Sequence, residues 1–316
     1  MPTLAPLNST NVRHAAAFAW HRLQLSVASA LAPRRAVELA ARLFATPPGI
    51  PHTGKERAFL AAGVPGRVSA DGMTLATWRY GDADDPVVIL SHGWGGRGAQ
   101  LRSFVQPLRE RGYQVVLFDH VGHGASAGEA ATLVHFVRGL DAVARAEEAR
   151  GATIEGVIGH SLGAAAAIAW LNDTRRDLRA VLVASPISVE RYSTFFARRF
   201  GIGEPVRRAM QEHFERALGK PWRDFELPQG VARVRAKALV VHDEGDPDVS
   251  FGAGVQLARA LPGSGFVATR GLGHRAILRE ATVTRDAADF IAGRVAFAPP
   301  PTPGQRRAWD APAPIL

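Results

Sequence analysis

A serine hydroxyl becomes a nucleophile only where a base takes its proton and the backbone presents it at an exposed turn. Two stretches spell Gly-x-Ser-x-Gly: GASAG at 124–128 and GHSLG at 159–163. One nucleophile suffices, so the two compete. An elbow serine needs a strand ending just before it and a helix starting just after it. Ser161 meets both conditions, between the apolar run IEGVIG (154–159) and the helical pattern LGAAAAIAWL (162–171). Ser126 lies seven residues beyond Asp119 in a Gly-rich loop. It is expected to cap a helix beginning near Glu129 instead.

The base should be a histidine held by a buried carboxylate. Of eleven histidines, His14, His21, His52, His135 and His213 fall in helical or linker stretches without a matching acid. His160 adjoins Ser161, and its side chain is expected to point into the sheet. His274 stands in the Gly-flanked GLGH (271–274), directly after the run GFVAT (265–269). The preceding run, ALVVH (238–242), leads into DEGDPDVS (243–250), which offers Asp243, Glu244, Asp246 and Asp248. Asp243 and Glu244 stand too near the strand end to swing toward the base. Asp246, followed by Pro247 in a turn, is the expected acid, with Asp248 as the alternative. Two backbone donors should hold an oxyanion. The Leu162 N–H lies at a helix N-terminus, where the backbone carries positive charge. The Trp94 N–H lies in SHGWGG (91–96) after the run VVIL (87–90). The competing interpretation makes HGWGG a tight turn and Trp94 a packing residue.

These residues need a scaffold that brings distant loops to one edge. Short apolar runs at 87–90, 113–118, 154–159, 180–185, 238–242 and 265–269 alternate with helical patterns near 98–111, 129–149, 162–172, 251–261 and 279–293. MTLATWRY (73–80) alternates like an antiparallel strand. Continuously apolar strands alternating with helices predict an α/β fold, with a mostly parallel sheet covered on both faces. Active sites of such sheets form at the carboxyl ends of the strands, where all the candidate residues fall. Residues 186–236 break the rhythm with helical stretches and no strand. Residues 11–45 predict two helices packed on the domain and broken near Pro33. The expected organisation is 1–56 as N-terminal helices and linker, 57–297 as the α/β domain with a cap at about 186–236, and 298–316 as a Pro-rich tail.

The chain has 316 residues and a formal net charge of +9. All but Lys55, Lys220 and Lys237 of its 38 basic residues are arginine, often beside acids as in VARAEEAR. No basic stripe interleaved with aromatics points to nucleic acid. The absence of cysteine excludes disulfides, thiolate metal sites and thiol catalysis. His120 and His123 lack a matching carboxylate pair, so no metal is expected, and no phosphate-cradling loop calls for a cofactor. LQLSVASALA (23–32) is too short to span a bilayer. A cytoplasmic enzyme is the expectation. A cleaved signal peptide and a peripheral membrane anchor are the competing interpretations.

With HGWGG, DHVGHGAS, GHSLG, HDEGDPDV and GLGH in this order, residues from about 57 to 296 resemble the α/β-hydrolase superfamily. Within it they resemble bacterial carboxylesterase- and lysophospholipase-like members. The resemblance implies a serine hydrolase with a helical cap inserted after the sixth strand. Two positions depart from the pattern: Val121 stands where relatives often carry arginine, and Asp243 where they often carry glycine. Fold alone does not fix the reaction. The expected activity is carboxylic-ester hydrolysis through an acyl-enzyme, with short to medium acyl chains preferred and a small-molecule ester as substrate. Phe195 and Phe196 in the cap are expected to meet substrate. The alternatives are a thioesterase, or a cofactor-free perhydrolase or lyase on the same triad, and, from another class, a non-catalytic ligand receptor. Oligomeric state has no signature in the sequence.

Overall fold

The structure, a computed structural model, describes residues 9–300. The stretch 301–316 of the expected Pro-rich tail, and residues 1–8, lie outside the described residues. Eight strands form one sheet: β1 (Val64–Ala70), β2 (Met73–Tyr80), β3 (Val87–Ser91), β4 (Gln114–Phe118), β5 (Ile154–His160), β6 (Arg179–Val183), β7 (Lys237–Asp243) and β8 (Gly265–Thr269). Their order is β1-β2-β4-β3-β5-β6-β7-β8. The β1–β2 and β2–β4 pairs are antiparallel, and every later pair is parallel.

The helices are α1 (Ser9–Leu31), α2 (Pro33–Ala45), α3 (Gly54–Ala61), α4 (Val105–Arg109), α5 (Leu133–Glu148), α6 (Leu162–Thr174), α7 (Val189–Phe200), α8 (Glu204–Leu218), α9 (Phe251–Ala260), α10 (Gly273–Ala276) and α11 (Ala281–Ile291). The chain divides into two compact units: residues 46–188 with 223–316, and residues 1–45 with 189–222.

In the first unit, alternate residues of each central strand feed opposite layers. Val87, Ile89, Val116, Phe118, Val157, Ala180, Leu182 and Val240 face a layer completed by α5, α6 and α9. Val88, Leu90, Val115, Leu117, Ile158, Val181, Val183 and Val241 face a layer completed by α4, α11 and the preceding 3-10 turns. Burial on both faces is why these strands read as unbroken apolar runs. The period-two geometry of a strand assigns neighbouring residues to different layers.

The second unit is built from two distant stretches of sequence. The α1–α2 break falls at Ala32, and Pro33 begins α2, where a missing backbone N–H costs nothing. Ala36, Ala40, Ala41 and Ala45 form the buried face of α2, in one core with Leu25, Phe196, Met210, Phe214 and Trp222. Phe44 sits in an aromatic cluster, 5.3 Å from Phe196, 5.7 Å from Phe214 and 5.9 Å from Trp222. The sequence treats these segments separately; the structure gives them a shared interior. Residues 223–236, part of the expected cap, group instead with the sheet unit and carry two 3-10 turns. No helix among the described residues is long and apolar enough to cross a membrane.

Candidate active site

Ser161 occupies the tight turn between β5 and α6, with φ 52° and ψ −123°. A non-glycine residue in such a region costs about 1–3 kcal/mol and persists only when its surroundings fix it. Here the Ser161 N–H donates to Val183 O at 2.9 Å, and its carbonyl accepts from Ala164 and Ala165. The flanking glycines are sterically required. A Cβ on Gly159 would lie 2.5 Å from Ala164 Cα, and one on Gly163 would strike the Ser91 and His92 carbonyls. Helix α6 therefore approaches the sheet closely enough to leave Ser161 at the strand end, half-buried.

The acid loop leaves β7. The Asp246 Oδ1 accepts the amides of Asp248 (2.8 Å) and Val249 (2.9 Å). Its Oδ2 accepts the His274 Nδ1–H at 2.8 Å. Burial pushes the Asp246 carboxyl up. The His274 hydrogen bond and charge, with the two amides, outweigh that effect and hold it below the usual carboxylate range. Donation from Nδ1 leaves Nε2 as the nitrogen free for chemistry. Asp248 itself is exposed and lends only its amide, so the structure brings Asp246, not Asp248, to His274.

Asp243 has a role that its sequence position conceals. Its carboxylate is fully buried and accepts from Gly245 N (3.0 Å), Thr269 Oγ1 (2.8 Å) and Leu272 N (3.0 Å). One side chain thus ties the acid loop to the segment carrying His274. Burial raises its pKa, and these donors reverse the sign, leaving it below the ordinary carboxylate value.

Two expectations need correction. His160 does not turn away into the sheet. Its Nε2–H donates to the His274 carbonyl at 2.8 Å, and the two rings lie 4.7 Å apart. Ser126 caps no helix. Its hydroxyl donates to Asp119 O at 2.5 Å and accepts from Ala76 N at 2.9 Å, while the next helix, α5, starts later, with Thr132 as the flanking residue. Ser126 fastens the Gly-rich loop to β2.

The loop after β3 carries Trp94, half-buried, closed by a Gly96 N–H to Gly93 O bond of 3.0 Å. A Cβ on Gly93 would lie 2.8 Å from Ser161 Cβ, so this loop passes directly over the elbow. Arg97 anchors its far end through a 2.7 Å buried ion pair with Glu56, which also closes a capping box with Thr53 at the start of α3. Phe196 is 9% exposed within the core of the helical unit, whereas Phe195 is 41% exposed.

Residues 82–262, more than half of the chain, match the family model for serine aminopeptidase, S33. The chain belongs to this family. It is a hydrolase of the α/β-hydrolase superfamily, as its motifs imply. The fold is shared with an esterase of Pyrococcus furiosus (18% identity, TM-score 0.59, covering 79% of this chain and 96% of that one). It is also shared with Est1E of Butyrivibrio proteoclasticus, solved with ferulic acid bound (16% identity, TM-score 0.59, 72% and 98%). A hydrolase of Pseudomonas aeruginosa gives a similar likeness (20% identity, TM-score 0.57, 73% and 99%). Among curated proteins, the magnesium-chelatase 30 kDa subunit of Rhodobacter capsulatus is 34% identical over 94 residues, 30% of this chain and 33% of that one. The chain thus spans about a third of the length of that relative.

Proposed function

We propose that the protein hydrolyses carboxylic esters of short to medium acyl length through an acyl-enzyme. The observation that carries this reading is the 2.8 Å bond from His274 Nδ1 to the buried Asp246 carboxylate, at the strand ends that also carry the strained Ser161 turn. Ser161 Oγ attacks the ester carbonyl as His274 Nε2 takes its proton. Asp246 keeps the imidazole in the required tautomer and stabilises the imidazolium. The Trp94 and Leu162 amides, which take no part in the turn and loop hydrogen bonds, hold the developing oxyanion. His274 returns the proton to the leaving alcohol, then activates the water that frees the acid.

Esters rather than N-terminal peptides are favoured by the charge of the helical stretch. Residues 186–236 hold ten Lys/Arg and six Asp/Glu. Two of those acids are already paired: Glu204 with Arg207 and Arg208, and Glu212 with Arg216. A carboxylate committed to an arginine is a poor partner for a substrate ammonium. The test combines active-site labelling by a fluorophosphonate with a panel of p-nitrophenyl esters from C2 to C16 and aminoacyl p-nitroanilides. Labelling of Ser161 with ester turnover peaking at short to medium chains is the expected result. Turnover confined to the anilides would overturn the ester assignment.

A further inference from the structure

The geometry around Trp94 assigns a task to two histidines that the triad does not use. The Gly93 carbonyl accepts the His92 Nδ1–H at 2.8 Å, besides the Gly96 amide. That carbonyl and the Trp94 N–H belong to one planar trans peptide, so they point in opposite directions. Holding the oxygen therefore aims the N–H. The following peptide is held as well: the Gly95 N–H donates to His123 Nε2 at 3.1 Å. Each ring is itself fixed at its other nitrogen. His92 Nε2 accepts the His120 N–H at 2.9 Å, and His123 Nδ1–H donates to Val121 O at 2.8 Å. Both imidazoles are thus neutral Nδ1–H tautomers, each offering one donor and one acceptor on a rigid ring. They are 1% and 3% exposed, their centroids 5.1 Å apart, with Phe136 against both. Burial, the largest influence on each, pushes both pKa values down and keeps the rings neutral.

We propose that His92 and His123 are positioning residues that grip the peptide planes on either side of Trp94 and aim its amide at the oxyanion. The proposal rests on the ester-hydrolase reading above. It makes the two histidines asymmetric. At position 92 the needed group is the donor at Nδ1, which the shorter Asn side chain can mimic with Nδ2. At position 123 the needed group is the acceptor at Nε2, which the longer Gln can mimic with Oε1.

The experiment measures kcat and KM on p-nitrophenyl butyrate for H92N, H92Q, H123N and H123Q, each normalised to sites titrated with fluorophosphonate, together with Tm. Removal of an oxyanion donor costs about 10²–10³ in rate, and a misaimed donor should cost about tenfold or more. The expected pattern is crossed. H123N and H92Q lose kcat with KM within about twofold, while H123Q and H92N recover most of it. A role in folding alone would lower Tm and leave kcat per titrated site unchanged. Four variants at parental kcat per site, or equal losses for Asn and Gln at both positions, would overturn the proposal and leave the hydrolase assignment intact. A parent that is neither labelled nor active would overturn both.

Discussion

His160 Nε2 donates a 2.8 Å hydrogen bond to the backbone carbonyl of His274, so the residue before Ser161 supports the segment that carries the proposed base. Replacing His160 by Ala should leave that buried carbonyl without its partner, at a cost of about 1–3 kcal/mol. The expected outcome is a fall in Tm of several degrees with a lower kcat. H160Q, which can place a donor near the Nε2 position, should restore part of both. Thermal melts and esterase assays on the two variants check this, and an H160A enzyme with parental Tm and kcat would remove the strut from the site.

The two Gly-x-Ser-x-Gly serines should separate cleanly. Ser161→Ala is expected to lower ester hydrolysis by several orders of magnitude, because triad members act as a unit. Ser126→Ala should leave kcat within a few-fold. It loses the bonds to Asp119 O and Ala76 N and should cost about 1–3 kcal/mol of stability. Mass spectrometry of the fluorophosphonate adduct decides the matter, since a label on the Ser126 peptide would reverse the assignment.

Three aspartates at and just beyond the end of β7 should behave in three ways. Asp246→Asn should keep the fold and cut kcat strongly, because the base loses its orienting anion. Asp248→Asn should be mild, since only its amide is used. Asp243→Asn turns an amide NH₂ toward the donors Gly245, Thr269 and Leu272, so it should lower both Tm and kcat. Urea melts beside kinetics distinguish these outcomes, and an Asp248→Asn loss matching that of Asp246→Asn would reassign the acid.

Stability should be sensitive to acid. Burial lowers His92 and His160 from 6.5 to about 3, so both stay neutral in the fold while the unfolded chain protonates below pH 6.5. The unfolded state then binds more protons, and stability falls with falling pH at about 1.4 kcal/mol per unit for each group. By pH 5 the pair should have removed about 4 kcal/mol, a large part of a typical 5–15 kcal/mol. Asp119 and Asp246, whose pKa values are lowered, add their share below pH 3.8, where stability is lost as pH drops through their folded values. Urea midpoints at pH 8, 7, 6 and 5 should be flat at first and then drop. A midpoint unchanged at pH 5 would contradict the buried neutral histidines.

Neighbouring phenylalanines in α7 should part company. Phe196→Ala empties a site between Phe44 and Phe200 and should cost about 3–5 kcal/mol. Phe195→Ala, at an exposed position, should shift stability by less than about 0.5 kcal/mol. Equal losses in chemical denaturation would place both rings in the core.

Strands β3 to β7 were legible because burial on two faces writes itself as apolar runs, β2 because its residues alternate, and β8 as a short apolar run although only Gly265 is buried. Strand β1 was not, since VPGRVSA has only Val68 and Ala70 buried and pairs along an edge. Helix α3 escaped although Thr53 and Glu56 spell its capping box, because it follows a Pro/Gly-rich stretch. Ser161 and the Asp246–His274 pair were legible because each follows its strand within a few residues. The hydrogen bonds of His160, His123 and Asp243 were not: each has a partner on another loop, and one-dimensional spacing does not encode which loops meet. The same limit hid the shared core of α2 with α7 and α8, since periodicity reveals an apolar face but not what covers it.

That shared core has a consequence for the order of synthesis. Helices α1 and α2 leave the ribosome before the sheet, and Phe196, Met210, Phe214 and Trp222 follow only after β1 to β6 have been made. Until then Ala36, Ala40 and Phe44 have only α1, through Leu25, to pack against, and closing so long a loop is entropically slower than pairing neighbours. The buried face of α2 therefore stays largely uncovered while the sheet strands from β1 to β6 are made, and a chaperone that shields it during that interval would favour the native pairing.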